Sequence, residues 1–132
     1  MKKNKVVLLI DDNEIDNFVT QKVIEKSGFA EKVVAIQSAP KAIEYLNNGH
    51  SSGNTLPNII FLDIGMPEMN GFEFLEEYKK MDKKVLNNCK VVILSSSIDD
   101  EDHDRAKHNK FVTKFISKPL CKESLEKIDL EN

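Results

Sequence analysis

Four apolar runs end in side chains able to do polar chemistry. Asp11-Asp12 follows Val6–Ile10, Asp63 follows Ile59–Leu62, Ser95-Ser96-Ser97 follows Val91–Leu94, and Lys118-Pro119 follows Phe111–Ile116 by one residue. If the first and third runs are neighbours, three carboxylates converge, and each pair of unit charges ~4 Å apart costs about 4 kcal/mol at an effective dielectric of ~20. Something positive must sit among them. Lys118 supplies one charge, but a divalent ion is the simpler complement. A donor set of carboxylate, carbonyl and water oxygens suits Mg²⁺ rather than zinc, which prefers His and Cys.

These residues need elements to hold them. Val6–Ile10, Val33–Ile36, Ile59–Leu62, Val91–Leu94 and Phe111–Ile116 are short, rich in β-branched residues and mostly continuous in apolar character, as expected of strands covered on both faces. Between and after them, apolar residues recur at helical spacing: Ile15/Phe18/Val19/Val23, Ala39/Ala42/Ile43/Leu46, Gly71/Phe74/Leu75/Tyr78 and Cys121/Leu125/Ile128. Each stripe predicts a helix laid on the sheet. Gly28 should stop the first helix and Pro40 should sit in the first turn of the second. Asp99 to Asp102 favours the N-terminus of a further helix to Lys107, whose apolar content is little more than Ile98 and Ala106. Asn47–Asn58 and Met81–Asn88 read as long loops.

Five βα units in series predict an α/β fold, doubly wound, with a parallel sheet, right-handed crossovers and helices on both faces. In such sheets ligands sit beyond the carboxyl ends of the strands. The acids, the hydroxyl and the ammonium all fall there.

The chain has 132 residues, 40% of them hydrophobic, enough for one domain with its own core. Its 19 basic and 22 acidic residues give a formal charge of −3, which excludes nucleic acid and anionic membranes as favoured partners. The apolar run behind Met1–Lys5 is too short for a secretory signal, so a cytoplasmic location is expected. Cys89 and Cys121 match no zinc spacing and read as free thiols. His50, His103 and His108 read as solvated surface residues.

Taken singly, each site residue has a plain structural reading. Asp11-Asp12 could cap a helix, Asp63 could open a turn before Met66-Pro67, Ser95 could end a strand, and Lys118 could be a surface lysine. Asp99-Asp100 follows no apolar strand directly and reads as a cap. The combination at four strand tips is what a structural protein does not require.

Asp11-Asp12, Asp63 with Met66-Pro67 and Gly71, Ser95, and Lys118-Pro119 resemble, in order and approximate spacing, the receiver domains of bacterial response regulators, over nearly the whole chain. The resemblance implies a flavodoxin-like (βα)5 fold with strand order 2-1-3-4-5 and a cis bond before Pro119. It implies that Asp63 accepts a phosphoryl group from a phosphohistidine, and that Mg²⁺ is held by Asp12, Asp63 and the Gly65 carbonyl, with Asp11 acting mostly through the metal's water shell. Lys118 and Ser95 would bind phosphoryl oxygens, and Ser95 with the aromatic Phe115 would form the switch. Phe115 lacks a hydroxyl, so an outward state held by a phenolic hydrogen bond is not available to it. Gly65 and Ser97 would tune the lifetime of the phosphoryl group.

The implied function is a single receiver domain over 1–132 without an output domain: a signalling switch of a two-component phosphorelay rather than an independent enzyme. Its partners would be a sensor histidine kinase or phosphotransfer protein and an unidentified downstream protein, reached through the fourth helix, fifth strand and fifth helix. It would be a monomer or a weak, phosphorylation-dependent dimer. The alternative is a phosphatase or phosphotransferase of the aspartyl-phosphate type, but many of these carry a second acid two residues past the nucleophile, where this chain has Gly65. A flavin-binding protein of the same fold class would want a Ser/Thr-rich phosphate loop after the first strand, where this chain has Asp11-Asp12-Asn13-Glu14.

Overall fold

Eleven elements alternate along the chain in the computed structural model, which describes residues 4–49 and 56–130. The strands are β1 (Asn4–Ile10), β2 (Ala30–Ile36), β3 (Ile59–Leu62), β4 (Lys90–Ser95) and β5 (Val112–Ser117). The helices are α1 (Glu14–Ser27), α2 (Ala39–Gly49), α3 (Gly71–Tyr78), α4 (Lys83–Asn88), α5 (Asp100–Lys107) and α6 (Lys122–Leu130). The strands form one parallel sheet in the order β2-β1-β3-β4-β5, as the resemblance implied.

Alternation along each strand divides the core in two. Leu8, Ile10, Ile60, Leu62 and Ile93 point to one face, where Leu46 of α2, Phe74 and Tyr78 of α3, Val85 of α4 and Ala106 of α5 cover them. Val7, Leu9, Phe61, Val92 and Leu94 point to the other, beneath Ile24 of α1 and Leu125 and Ile128 of α6. The central strands are covered on both faces, which is why they read as unbroken apolar runs. β2, at the edge, is only partly buried.

Four expectations are corrected. Most of the α1 stripe does not face the sheet: Ile15, Phe18 and Val19 are 74%, 62% and 44% exposed and only Val23 packs against the core, whereas Asn17, Thr20 and Ile24 are buried. The inner face of α1 borders a charged pocket and carries polar groups to match, so periodicity selected the outer face. Met81–Asn88 contains α4, with Asp82 as its N-cap accepting from the Lys84 N–H at 2.9 Å and Val85 fully buried. One apolar turn is too short to register as a stripe. Cys121 is exposed and precedes α6, leaving Leu125 and Ile128 to bury it. Ile98 lies outside α5 and is 94% exposed.

Other punctuation holds. Gly28 closes α1 with φ 72°, its N–H on the Glu25 carbonyl, and Asp99 caps α5. α2 runs on to Gly49, so the Asn47–Asn58 loop begins later than expected, and its residues 50–55, His50 included, lie outside the described residues.

Candidate functional site

The parallel ladders continue one residue past the strands and so bring the tips together. The Asp11 N–H donates to the Ile36 carbonyl at 3.2 Å, the Asp63 N–H to Ile10 at 2.9 Å, and the Lys118 N–H to Ser95 at 2.9 Å. Since Ile10 pairs with Leu62, Asp11 and Asp63 are the next residues on adjacent strands. Oxygens of Asp11, Asp12 and Asp63 lie within 4.8 Å of one another, Asp11 and Asp63 buried and Asp12 exposed.

Lys118 reaches into this group. Its Nζ donates to Asp11 Oδ2 at 2.7 Å and to Asp16 Oδ2 at 2.8 Å, and stands 3.9 Å from Asp63 Oδ1. The Lys118–Pro119 bond is cis, as the resemblance implied. Burial pulls the Lys118 ammonium down, but the hydrogen bonds to Asp11 and Asp16 and the charges of Asp63 and Asp11 outweigh it and raise its pKa. For Asp63 burial is the largest influence and raises the carboxyl. Lys118 and the Gly65 N–H oppose this, while Asp11 and Asp12 add to it. The phosphoacceptor candidate is therefore a carboxylate held in an uncomfortable place. An oxygen-only cluster of this size fits a hard dication; among the described residues no His or Cys belongs to it.

The turns on either side fix the acids. Asp11 Oδ1 accepts from the Asn13 N–H at 2.9 Å, and Asn13, rather than either aspartate, caps α1 through the Asp16 N–H at 2.9 Å. Asn70 and Glu73 form a capping box at the start of α3. A Cβ on Gly71 would meet the Asp63 carbonyl at 2.8 Å, so glycine allows α3 to start against the site. Gly65 is the opposite case: a Cβ there meets nothing within 4 Å.

Sequence reasoning missed three contributors on α1 and one on α5. Asp16 shares Lys118, Asn17 donates from Nδ2 to the Asp11 carbonyl at 2.8 Å, and Thr20 lines a void of about 10 Å³ beneath Asp11 and Asp63. Their signal was present as polar residues at positions 16, 17 and 20, on the side of the helix away from the apolar stripe. The fourth is His103. It is half-buried rather than solvated, its ring stacked on Phe115 with centroids 3.9 Å apart.

Ser95 is buried at the β4 tip, joined to Lys118 through the backbone. Ser97 and Phe115 make no hydrogen bond or ion pair with the acids among the described residues; they belong to a second group on α5 and β5. The Ser97 hydroxyl donates to Asp102 at 2.7 Å and accepts from the Asp99 N–H at 3.2 Å.

A family model described as the response regulator receiver domain matches residues 7–128. The chain is 30% identical over 122 residues to a probable methanogenesis regulatory protein, FilR2, of Methanothrix harundinacea, covering 92% of this chain and 77% of that one. Its fold superposes with TM-score 0.90 on a two-component response regulator from Cytophaga hutchinsonii, at 34% identity, covering 98% and 97% of the two chains. It also superposes with TM-score 0.71 on the Mn(2+)-bound form of response regulator Rcp1, at 25% identity, covering 94% and 88%.

Proposed function

The chain belongs to the response regulator receiver family, the phosphoacceptor modules of two-component signalling, and from that premise we propose that Asp63 is the phosphoacceptor and that residues 1–132 form one receiver domain. The observation that carries the assignment is the placement of Asp63 at the β3 tip, buried, in contact range of two further acids and of Lys118.

In the transfer, an Asp63 carboxylate oxygen attacks phosphorus as the P–N bond to the donor imidazole breaks, and the ring nitrogen leaves with the electron pair. An acyl phosphate results, and hydrolysis by water returns the carboxylate and inorganic phosphate. Lys118 is close enough to move from Asp16 onto a phosphoryl oxygen. Ser95 offers a hydroxyl hydrogen to another. Gly65, exposed and without a side chain, leaves water an open approach. Ser97, with its hydroxyl turned to Asp102, sets the loop that this water must pass.

Asp12, Asp63 and the Gly65 carbonyl would hold Mg²⁺, with Asp11 reached through water; the crowding of oxygen donors supports this, as does the manganese in the related Rcp1 structure. When bound, the dication supplies positive charge that lets an anionic phosphorus centre approach a carboxylate. The phosphodonor is a histidine kinase or phosphotransfer protein. Its surface must reach the mouth of the pocket, and the exposed Ile15, Phe18 and Val19, on the outer face of the helix whose Asp16 touches Lys118, offer it an apolar patch beside that mouth. No described helix is long and apolar enough to cross a membrane.

The test is incubation with phosphoramidate and Mg²⁺ followed by intact mass measurement. One added phosphoryl group on the native protein and none on Asp63→Asn is the expected result. An Asp63→Asn protein that gains the same mass would place the acceptor elsewhere.

A further inference from the structure

The second group of residues forms an unbroken path from the acid pocket to Phe115. The Ser95 hydroxyl accepts from the Ser97 N–H at 3.1 Å, and the Ser97 carbonyl faces His103 Nε2 at 3.1 Å. A carbonyl only accepts, so Nε2 carries the proton and donates. The other end of the path is the Phe115 stack, at 3.9 Å and an interplanar angle of 26°. Ser97 is fastened to the same turn of α5 a second time, through Asp102. One imidazole thus grips both the loop that follows Ser95 and the ring on β5.

We propose that His103 is the positioning residue that couples Ser95 to Phe115: from α5 it holds the β4–α5 loop by its hydrogen bond to the Ser97 carbonyl and the β5 ring by its stack on Phe115. The inference rests on the receiver reading of Asp63. In the resting arrangement both His103 contacts are made. When Ser95 is drawn to a phosphoryl oxygen, Ser97 moves with it, because the Ser95 hydroxyl is bonded to the Ser97 N–H. Ser97 cannot move without stretching the His103 bond. The ring turns or lets go, and Phe115 loses its stacking partner. A groove of about 260 Å³ between α5 and β5, lined in part by His103, Ala106 and Phe115, gives both rings room to move. His103 would then oppose activation, and by linkage its removal favours the phosphorylated arrangement.

The readout is the carbon-bound ring protons of His103, identified by their loss in His103→Gln. Stacked on Phe115 they lie in its ring current, and Phe115→Leu should return them toward the positions of an exposed histidine. Phosphoramidate and Mg²⁺ should do the same in the native protein, with intact mass recording the phosphoryl group in the same sample. His103→Gln should raise the phosphorylation rate roughly two- to tenfold, the scale of a lost aromatic pair, and have a smaller effect in the Phe115→Leu background, where only the bond to Ser97 is left to lose. A mass increase with unmoved His103 resonances overturns the coupling, as does an unchanged rate in His103→Gln. A protein that gains no mass fails the receiver reading instead. The stack is then judged by Phe115→Leu alone, where unmoved resonances count against it.

Discussion

Asp63→Asn should make the metal-free protein more stable, although it removes the residue on which the site depends. The Asp63 carboxylate lies within 4.8 Å of oxygens of Asp11 and Asp12 and 3.9 Å from the Lys118 ammonium. At an effective dielectric of ~20 the two repulsions cost at least about 3.5 kcal/mol each and the one attraction returns about 4. Burial adds to the cost of the charge, while water around the exposed Asp12 screens part of it. About 2 kcal/mol of net destabilisation remains, which asparagine relieves while keeping an oxygen for the Gly65 N–H. For a chain of this size that is a rise in melting temperature of roughly 6–10 °C. The pH dependence has a definite sign. Between the ordinary carboxyl pKa and the raised value in the fold, the unfolded chain has released a proton that the folded chain retains. Stability therefore falls as pH rises through that window, and the full penalty is present above it. The variant lacks this slope. Urea titrations in EDTA and in millimolar Mg²⁺, at several pH values, measure all of this. Mg²⁺ should stabilise the native protein, by about 1.4 kcal/mol for each tenfold excess over its dissociation constant, and the variant much less. A variant no more stable than the native protein in EDTA, or an equal Mg²⁺ gain in both, would refute the electrostatic account.

Asp12→Ala should likewise be at least as stable as the native protein in EDTA and lose most of its Mg²⁺ stabilisation, in the same titrations. Enlarging Gly65, as in Gly65→Ala or Gly65→Gln, should leave the fold intact because nothing stands within 4 Å of the new Cβ, yet change the dephosphorylation rate. Phosphate release after removal of the donor measures it, and an unchanged rate across several substitutions would speak against water approaching there. Phe18→Ser, on the exposed face of α1, should slow transfer from a phosphohistidine-bearing phosphotransfer domain roughly tenfold or more while leaving the reaction with phosphoramidate unchanged. Equal slowing of both reactions would mean that Phe18 supports the pocket rather than the partner.

The sheet and the acids were legible in the sequence for one reason. A strand buried on both faces has no position for a polar side chain until it ends, so Asp11, Asp63 and Ser95 announce the strand tips and the site together. Helices give no such signal. On α1 a clear apolar stripe misled, because Ile15, Phe18 and Val19 face outward and the pocket claims Asp16, Asn17 and Thr20. Periodicity reports that a helix has two faces; it does not report which of them meets the sheet. The short α4 was hidden by its length, and the role of His103 by its partner, since Phe115 is twelve residues away in sequence and meets it only when α5 packs on β5.

The position of Lys118 shows how the site can be both at rest and poised. Three carboxylates surround one ammonium, which hydrogen-bonds to Asp11 and Asp16 but not to Asp63. Asp11 is buried and would be costly to leave without a counter-charge, so Lys118 has reason to keep that bond. Asp16 is 41% exposed and can turn to water at little cost. A phosphoryl group on Asp63 brings more negative charge to the far side of the ammonium than Asp16 offers, 3.9 Å from where Nζ already stands. The lysine can therefore change partners by a small movement, giving up its weaker attachment and keeping its stronger one. On the proposed reading Ser95 would move as well, and its carbonyl, which holds the Lys118 N–H at 2.9 Å, joins the two residues through the backbone. Replacing Asp16 should accordingly alter how readily Lys118 shifts toward Asp63, whereas replacing Asp11 removes the anchor about which it moves.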